Sequence, residues 1–335
     1  MAPSDKPGRA PTYAGRVRLH IVTGKGGTGK TTVAAALALA LASGGKRVLL
    51  CEVEGRQGIA SLFDVAPLPY EERRIAVGPD RGEVFALAVD AEAALLEYLD
   101  TFYRLGRAGR VLDRFGAIDF ATTIAPGVRD VLLTGKVFEA TRRRERGETT
   151  YDAVVLDAPP TGRIGRFLNV NAEVAGVAKV GPIRNQASSI MQLLKSEQSR
   201  VHLVTSLEEM PVQEALDGIT ELRRIGLPTG NVLVNLVREP ELSADQLELA
   251  ATRSLDSAVI ETALKEAGIA PDPDVVAGLL DEGQQHAERV HLEAEQRRRL
   301  GRAGAPVIEL PYLSDGIDLG SLYELADQLC RSGKI

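Results

Sequence analysis

The amino-acid sequence predicts an α/β fold, a doubly wound and mostly parallel sheet with helical insertions. Two observations predict it. Short β-rich runs that end in glycine or an acid alternate with longer helix-forming stretches, the order that builds parallel βαβ units with right-handed crossovers. The first run also leads through a glycine-rich loop straight into an Ala/Leu helix and then a second strand, a complete unit within the first fifty or so residues.

The elements follow in order. Residues 17–23 (VRLHIVT) form a short β-rich run that stops at glycines, and residues 31–42 have strong helix propensity up to Ser43-Gly44-Gly45. Residues 46–53 (KRVLLCEV) are a second buried strand. Residues 84–89, 153–156, 201–205, 232–237 and 307–310 continue the series, for a sheet of about seven or eight strands. Helices are expected over 91–105, 128–146, 211–225, 246–267 and 275–300. Residues 1–15, rich in Pro, Gly and charge, read as a disordered lead-in. With no internal repeat and no low-complexity linker, residues 16–335 are expected to form one domain. Helical insertions at about 91–150 and 165–200 lengthen two crossovers beyond ordinary loop size. The Ile190-Met191-Gln192-Leu193-Leu194 stretch of the second could bind an apolar partner or pack on its neighbours, and the sequence leaves both open.

Composition excludes several function classes. An apolar fraction of 44% and a charged fraction of 26% are those of a protein with a sizeable core, and a net charge of -6 gives no reason to expect nucleic acid as a partner. Two cysteines, Cys51 and Cys330, cannot make a disulfide framework, a four-cysteine zinc site or an intrachain iron–sulfur cluster. A reducing cytoplasmic setting follows. No stretch approaches the roughly 18 apolar residues of a spanning helix, and Ala2 to Arg16 lacks the apolar core of a signal peptide. Contact with a membrane would be peripheral or through a partner.

The chemistry begins at Gly24-Lys25-Gly26-Gly27-Thr28-Gly29-Lys30-Thr31, which satisfies the phosphate-loop pattern between a strand and a helix. Glycines let backbone N–H groups converge on phosphate oxygens, and the helix N-terminus adds partial positive charge. Lys30 is placed to reach the β- and γ-phosphates of ATP and Thr31 to ligate Mg²⁺. An apolar strand ending at Asp157 sets a second carboxylate beside the loop, able to hold Mg²⁺ directly or through water, and Ala158-Pro159-Pro160-Thr161-Gly162 after it is a candidate γ-phosphate-sensing switch. His20, His202, His286 and His291 are scattered, and Arg142-Arg143-Arg144-Glu145-Arg146 is either a solvated helix end or a contact for acidic lipid or a partner. Arg297-Arg298-Arg299 is read the same way.

Two resemblances extend this reading. Lys25 to Thr32, with a lysine directly after Gly24, resembles the deviant phosphate loop of the signal-recognition, nitrogenase-reductase and partition-ATPase class. That likeness implies that Lys25 reaches across a dimer interface to the partner's nucleotide, and that Gly26, Gly27, Thr28, Gly29, Lys30, Thr31 and Thr32 hold the phosphates. The segment from Asp157 to Gly162 resembles the DTAPTGH switch of the family of arsenite-pump and tail-anchored-protein targeting ATPases. Val89-Asp90-Ala91-Glu92, Ala125-Pro126-Gly127-Val128-Arg129-Asp130, Val234-Asn235 and Leu310-Pro311-Tyr312-Leu313 resemble further elements of that family, over roughly residues 17–330.

Membership implies a Mg²⁺-dependent ATP-hydrolysing switch, a homodimer or a heterodimer with a paralogous ATPase. Adenine would be held by Asn235, Pro311 and Tyr312, with Thr31 and Asp157 at the metal. The implied role is targeting or transport of membrane proteins, with a membrane-protein client or membrane component as partner. A catalytically weak regulatory subunit is the alternative. Two departures motivate it: Glu54 stands where the family has the aspartate that orients the attacking water, and Arg163 stands where it has histidine. One extra methylene moves a water by about an ångström. The zinc-binding cysteine pair of the targeting branch and the metalloid-binding cysteines of the arsenite pump have no counterparts.

Overall fold

A computed structural model describes residues 17–103, 127–177 and 182–335. The lead-in, residues 104–126 of the first insertion with its Ala125-Pro126, and residues 178–181 of the second lie outside the described residues.

The strands in chain order are β1 (Leu19–Gly24), β2 (Arg47–Glu52), β3 (Arg73–Val77), β4 (Glu83–Ala88), β5 (Arg144–Glu145), β6 (Glu148–Thr149), β7 (Ala153–Asp157), β8 (Ser199–Thr205), β9 (Thr229–Val237) and β10 (Val307–Pro311). The helices are α1 (Lys30–Leu41), α2 (Gly58–Leu62), α3 (Ala91–Tyr103), α4 (Val128–Arg142), α5 (Thr161–Val177), α6 (Pro182–Leu194), α7 (Glu209–Ile225), α8 (Ala244–Ala251), α9 (Ser257–Glu266), α10 (Pro273–Gly301) and α11 (Leu319–Arg331). Eight strands form one sheet in the order β10-β9-β8-β1-β7-β2-β4-β3, parallel except for the β3–β4 edge pair. The central strands are continuously apolar because helices cover both faces. Alternation sorts their side chains: Leu49 and Cys51 pack with α4 to α7, while Val48 and Leu50 pack with α1 and α11. Helix α1 is apolar all round, Val33 to Ala40 being buried without a break, and its alanines let it sit close to the sheet.

The sequence runs match the strands and most helices to within a few residues. Three expectations need correction. The strand β3 escapes the pattern because Arg73 and Arg74 open it, and it lies antiparallel on an edge joined to β4 by a short turn. The helix expected over 246–267 is two, since Asp256 caps a new start by accepting from the Ala258 N–H. The helix expected to run to 146 stops at Arg142, and a small hairpin follows that turns at Arg146 (φ 54°) and Gly147 (φ 92°). The arginine run there is not simply solvated either. Arg143 pairs with Glu139 at 2.6 Å and Glu72 at 2.8 Å, and Tyr151 donates to Glu72 at 2.6 Å. Ile190, Met191, Leu193 and Leu194 are buried in the core, so this stretch packs on its neighbours and offers no exposed groove.

The four histidines are not all surface residues. His20 on β1 and His202 on β8 stack with ring centroids 5.3 Å apart, and His20 Nδ1 lies 3.1 Å from His202 Nε2. The Asn231 N–H donates to His202 Nδ1, which assigns the His202 proton to Nε2 and makes His20 Nδ1 the acceptor. Burial pushes His20 down to about 4 and His202 well below its usual value, so both are held neutral. The unfolded chain protonates both near pH 6.5 and the folded chain does not. Folding stability is therefore expected to fall as pH drops from 6.5 towards about 4, by about 1.4 kcal/mol per pH unit for each histidine. Urea titrations at pH 7.5, 6 and 5 measure the slope. The double variant His20→Leu/His202→Leu flattens it if the pair is responsible.

Candidate nucleotide site at the carboxyl edge of the sheet

Strand β1 delivers the chain to the carboxyl edge between β7 and β8, where strand order turns back on itself, the usual position for a ligand crevice. Glycine is required on the way. A Cβ on Gly24 would lie 2.3 Å from the Val204 carbonyl oxygen, and Gly29 has a left-handed φ of 81°. Thr28 is buried, and its hydroxyl donates to the Lys25 carbonyl at 2.9 Å, closing the loop on itself. The Asn235 Nδ2 donates to the Thr28 carbonyl at 3.0 Å and ties the loop to β9. Helix α1 then starts at Lys30 with no side-chain cap and no acid in its first turn, leaving its first N–H groups to an anion.

Two carboxylates stand beside this helix end. Asp157 closes β7 and is paired in register with Val22 of β1 and Glu52 of β2. The Thr31 hydroxyl donates to Asp157 Oδ2 at 2.7 Å, while Asp157 Oδ1 is buried without a partner. Burial, offset in part by the Thr31 hydrogen bond and the Lys30 charge, pushes the Asp157 carboxyl up to about 6, and Glu52 and Glu54 push the same way. Glu52 is buried, its Oε2 accepting from the Ile59 N–H at 3.2 Å and its Oε1 unpartnered. The sequence reading missed Glu52. The available signal was an acid as the last residue of an apolar strand, level with Asp157. Thr161, first residue of α5, also has a buried hydroxyl with no partner.

These groups pass a fit test for a small hard cation. Unsatisfied buried carboxylate oxygens and the Thr31 hydroxyl are oxygen donors of the kind Mg²⁺ takes, completed by water and phosphate oxygens. Among the described residues no group of three or more His, Cys, Asp or Glu is placed to hold a metal ion.

Around this centre lie the other expected residues. Glu54 sits between two arginines, 3.9 Å from Arg163 and 3.7 Å from Arg56. A Cβ added to Gly58 beyond it would lie 3.2 Å from the Thr31 methyl. Lys25 is paired with Glu214 of α7 at 3.1 Å. Tyr312 follows Pro311 at the end of β10, and its N–H donates to the Val237 carbonyl at 2.7 Å. Thus the structure gathers Thr28, Lys30, Thr31, Asp157 and Asn235 into one cluster, with Glu54 held by Arg163 beside it. Pro311 and Tyr312 join it through β9. Glu214 and the tie between Asn235 and Thr28 are long-range contacts that local sequence does not announce.

A parallel sheet with this loop at its switch point is the fold and site of a P-loop ATPase. The anion-transporting ATPase family model matches residues 17–197. The chain is 54% identical over 325 residues to ATPase BagA of Mycobacterium tuberculosis, covering 96% of this chain and 95% of that one. It is 25% identical to the arsenical pump-driving ATPase of Escherichia coli, over 92% of this chain and 54% of that protein, and 27% identical to the protein of the same name from Acidiphilium multivorum, over 68% and 41%. The chain spans about half the length of these pump-driving relatives. This chain belongs to the anion-transporting, arsenite-pump ATPase family and is an ATPase.

Proposed function

We propose that this ATPase works as a Mg²⁺-dependent dimeric switch whose ATP-driven closure serves membrane-protein targeting or transport. The observation that carries the reading is the Thr31–Asp157 hydrogen bond beside the uncapped start of α1. Lys30 and the amides of Gly26 to Thr32 bind the phosphates, and Thr31 with Asp157 holds Mg²⁺. When bound, Mg²⁺ neutralises charge on the β- and γ-phosphates. Glu54 orients the attacking water and accepts its proton as the bond to the γ-phosphorus forms and the bond from that phosphorus to the bridging oxygen breaks, ADP leaving with the electron pair. Lys25 leaves Glu214 and reaches the partner's nucleotide, where a cation delivered in trans stabilises developing charge. Asn235, Pro311 and Tyr312 hold adenine.

The names of the more distant relatives support a pump-driving role for this family. A three-cysteine metalloid site finds no support, since Cys51 is buried in β2 and Cys330 lies on α11. No helix among the described residues is long and apolar enough to cross a membrane. A second reading, a slow regulatory subunit paired with a paralogue, is favoured by Glu54, whose charge is shared between Arg56 and Arg163.

Single-turnover hydrolysis and sedimentation of Glu54→Gln with ATP and Mg²⁺ test the proposal. The variant is expected to bind ATP, to turn over at least about a hundredfold more slowly, and to accumulate as a dimer. Wild-type turnover in this variant removes Glu54 as the water-orienting group. Binding without turnover in the wild-type chain selects the regulatory reading.

A further inference from the structure

Just past the end of β9 stands a cation, Arg238, whose one contact among the described residues is an aromatic ring. Leu236, directly after Asn235, has a left-handed φ of 62° and an exposed side chain. It is the extra residue of a β-bulge, since Val234 pairs with Glu309 and Val237 with Pro311, and bulges of this kind re-aim the side chains that follow them. Two residues on, Arg238 lays its guanidinium over the Tyr312 ring, 4.1 Å from the centroid. Tyr312 is 41% exposed. Arg238 is exposed too and makes no hydrogen bond or ion pair with any described residue, so the outer face of its guanidinium is free.

We infer that Arg238 is a nucleobase-binding residue: its guanidinium plane, backed by Tyr312, is the surface on which the purine of the bound nucleotide stacks. The inference rests on the reading of Asn235, Pro311 and Tyr312 as the adenine pocket and adds the cation to it. A guanidinium is planar and weakly hydrated, and bases stack on such planes as they do on aromatic rings. Position agrees with chemistry. Asn235 touches the phosphate loop through Thr28, and Arg238 is three residues further, at most about 10 Å along the chain at about 3.3 Å each. That separation leaves room for a ribose and a phosphate between loop and base.

Calorimetry on the full-length chain, with ATP and inorganic tripolyphosphate as probes, tests this in wild type, Arg238→Ala, Arg238→Lys and Tyr312→Ala. Arg238→Ala is expected to weaken ATP about tenfold and leave tripolyphosphate unchanged. Arg238→Lys keeps the charge but loses the plane, and is expected not to restore ATP affinity. The inference is overturned if tripolyphosphate weakens equally, if lysine restores ATP fully, or if only Tyr312→Ala loses ATP. Wild-type ATP affinity in both Arg238→Ala and Tyr312→Ala would sink the adenine pocket itself.

Discussion

Lys30→Ala is expected to abolish measurable ATP binding while leaving the chain folded, slightly less stable above pH 6. Lys30 opens α1 at its uncapped end and makes no hydrogen bond or ion pair with any described residue, so its charge is held for a ligand. Truncating a cation in direct contact with phosphate oxygens costs about 3–4 kcal/mol, a few hundredfold in Kd. The charge also acts on the protein. It is one of the two influences that lower the Asp157 carboxyl against burial, so the variant should raise that carboxyl further. Calorimetry measures the affinity and thermal melting the stability. ATP affinity within a fewfold of wild type would remove the loop from the reading.

Asp157→Asn is expected to stabilise the nucleotide-free protein and to reduce turnover by at least about a thousandfold. The Asp157 carboxyl titrates near 6 in the folded protein and near 3.8 in the unfolded chain, so folding disfavours its ionised form. The penalty is fully present above pH 6 and disappears as pH falls through 6 towards 3.8. About two units at about 1.4 kcal/mol each set an upper limit near 3 kcal/mol. Asparagine keeps an acceptor for the Thr31 hydroxyl without the charge. The gain in melting temperature should therefore appear at pH 8 and vanish at pH 4, while ATP hydrolysis is lost at both. A variant less stable than wild type at pH 8 would show that the carboxylate is not strained. The opposition of stability and function at one residue is expected where a site is built to be completed by a ligand.

Much of the fold was legible because its signals are local. Seven strands are apolar runs with clear ends, and the phosphate loop fixes its residues by spacing alone. What escaped is either an exception to local pattern or a long-range contact. The antiparallel strand β3 hides behind two arginines, and the break between α8 and α9 turns on one capping aspartate. Asp157 was legible from the segment after it, whereas Glu52 is one acid in an apolar strand and acquires meaning only beside Asp157. His20 and His202 look unrelated until β1 and β8 lie together, and the Lys25–Glu214 pair needs α7 in place.

The order of strands has a consequence for how this protein is made. Strand β1 leaves the ribosome well before its sheet neighbours β7 and β8, which both come from far later in the chain. Until they emerge, the phosphate loop hangs from an unpaired apolar strand, the kind of edge that invites aggregation and delays folding. Asp157 and Asn235, which complete the loop's surroundings, arrive later still than the loop. Nucleotide can therefore stabilise the chain only once β9 has emerged, and products truncated before it should have no use for nucleotide.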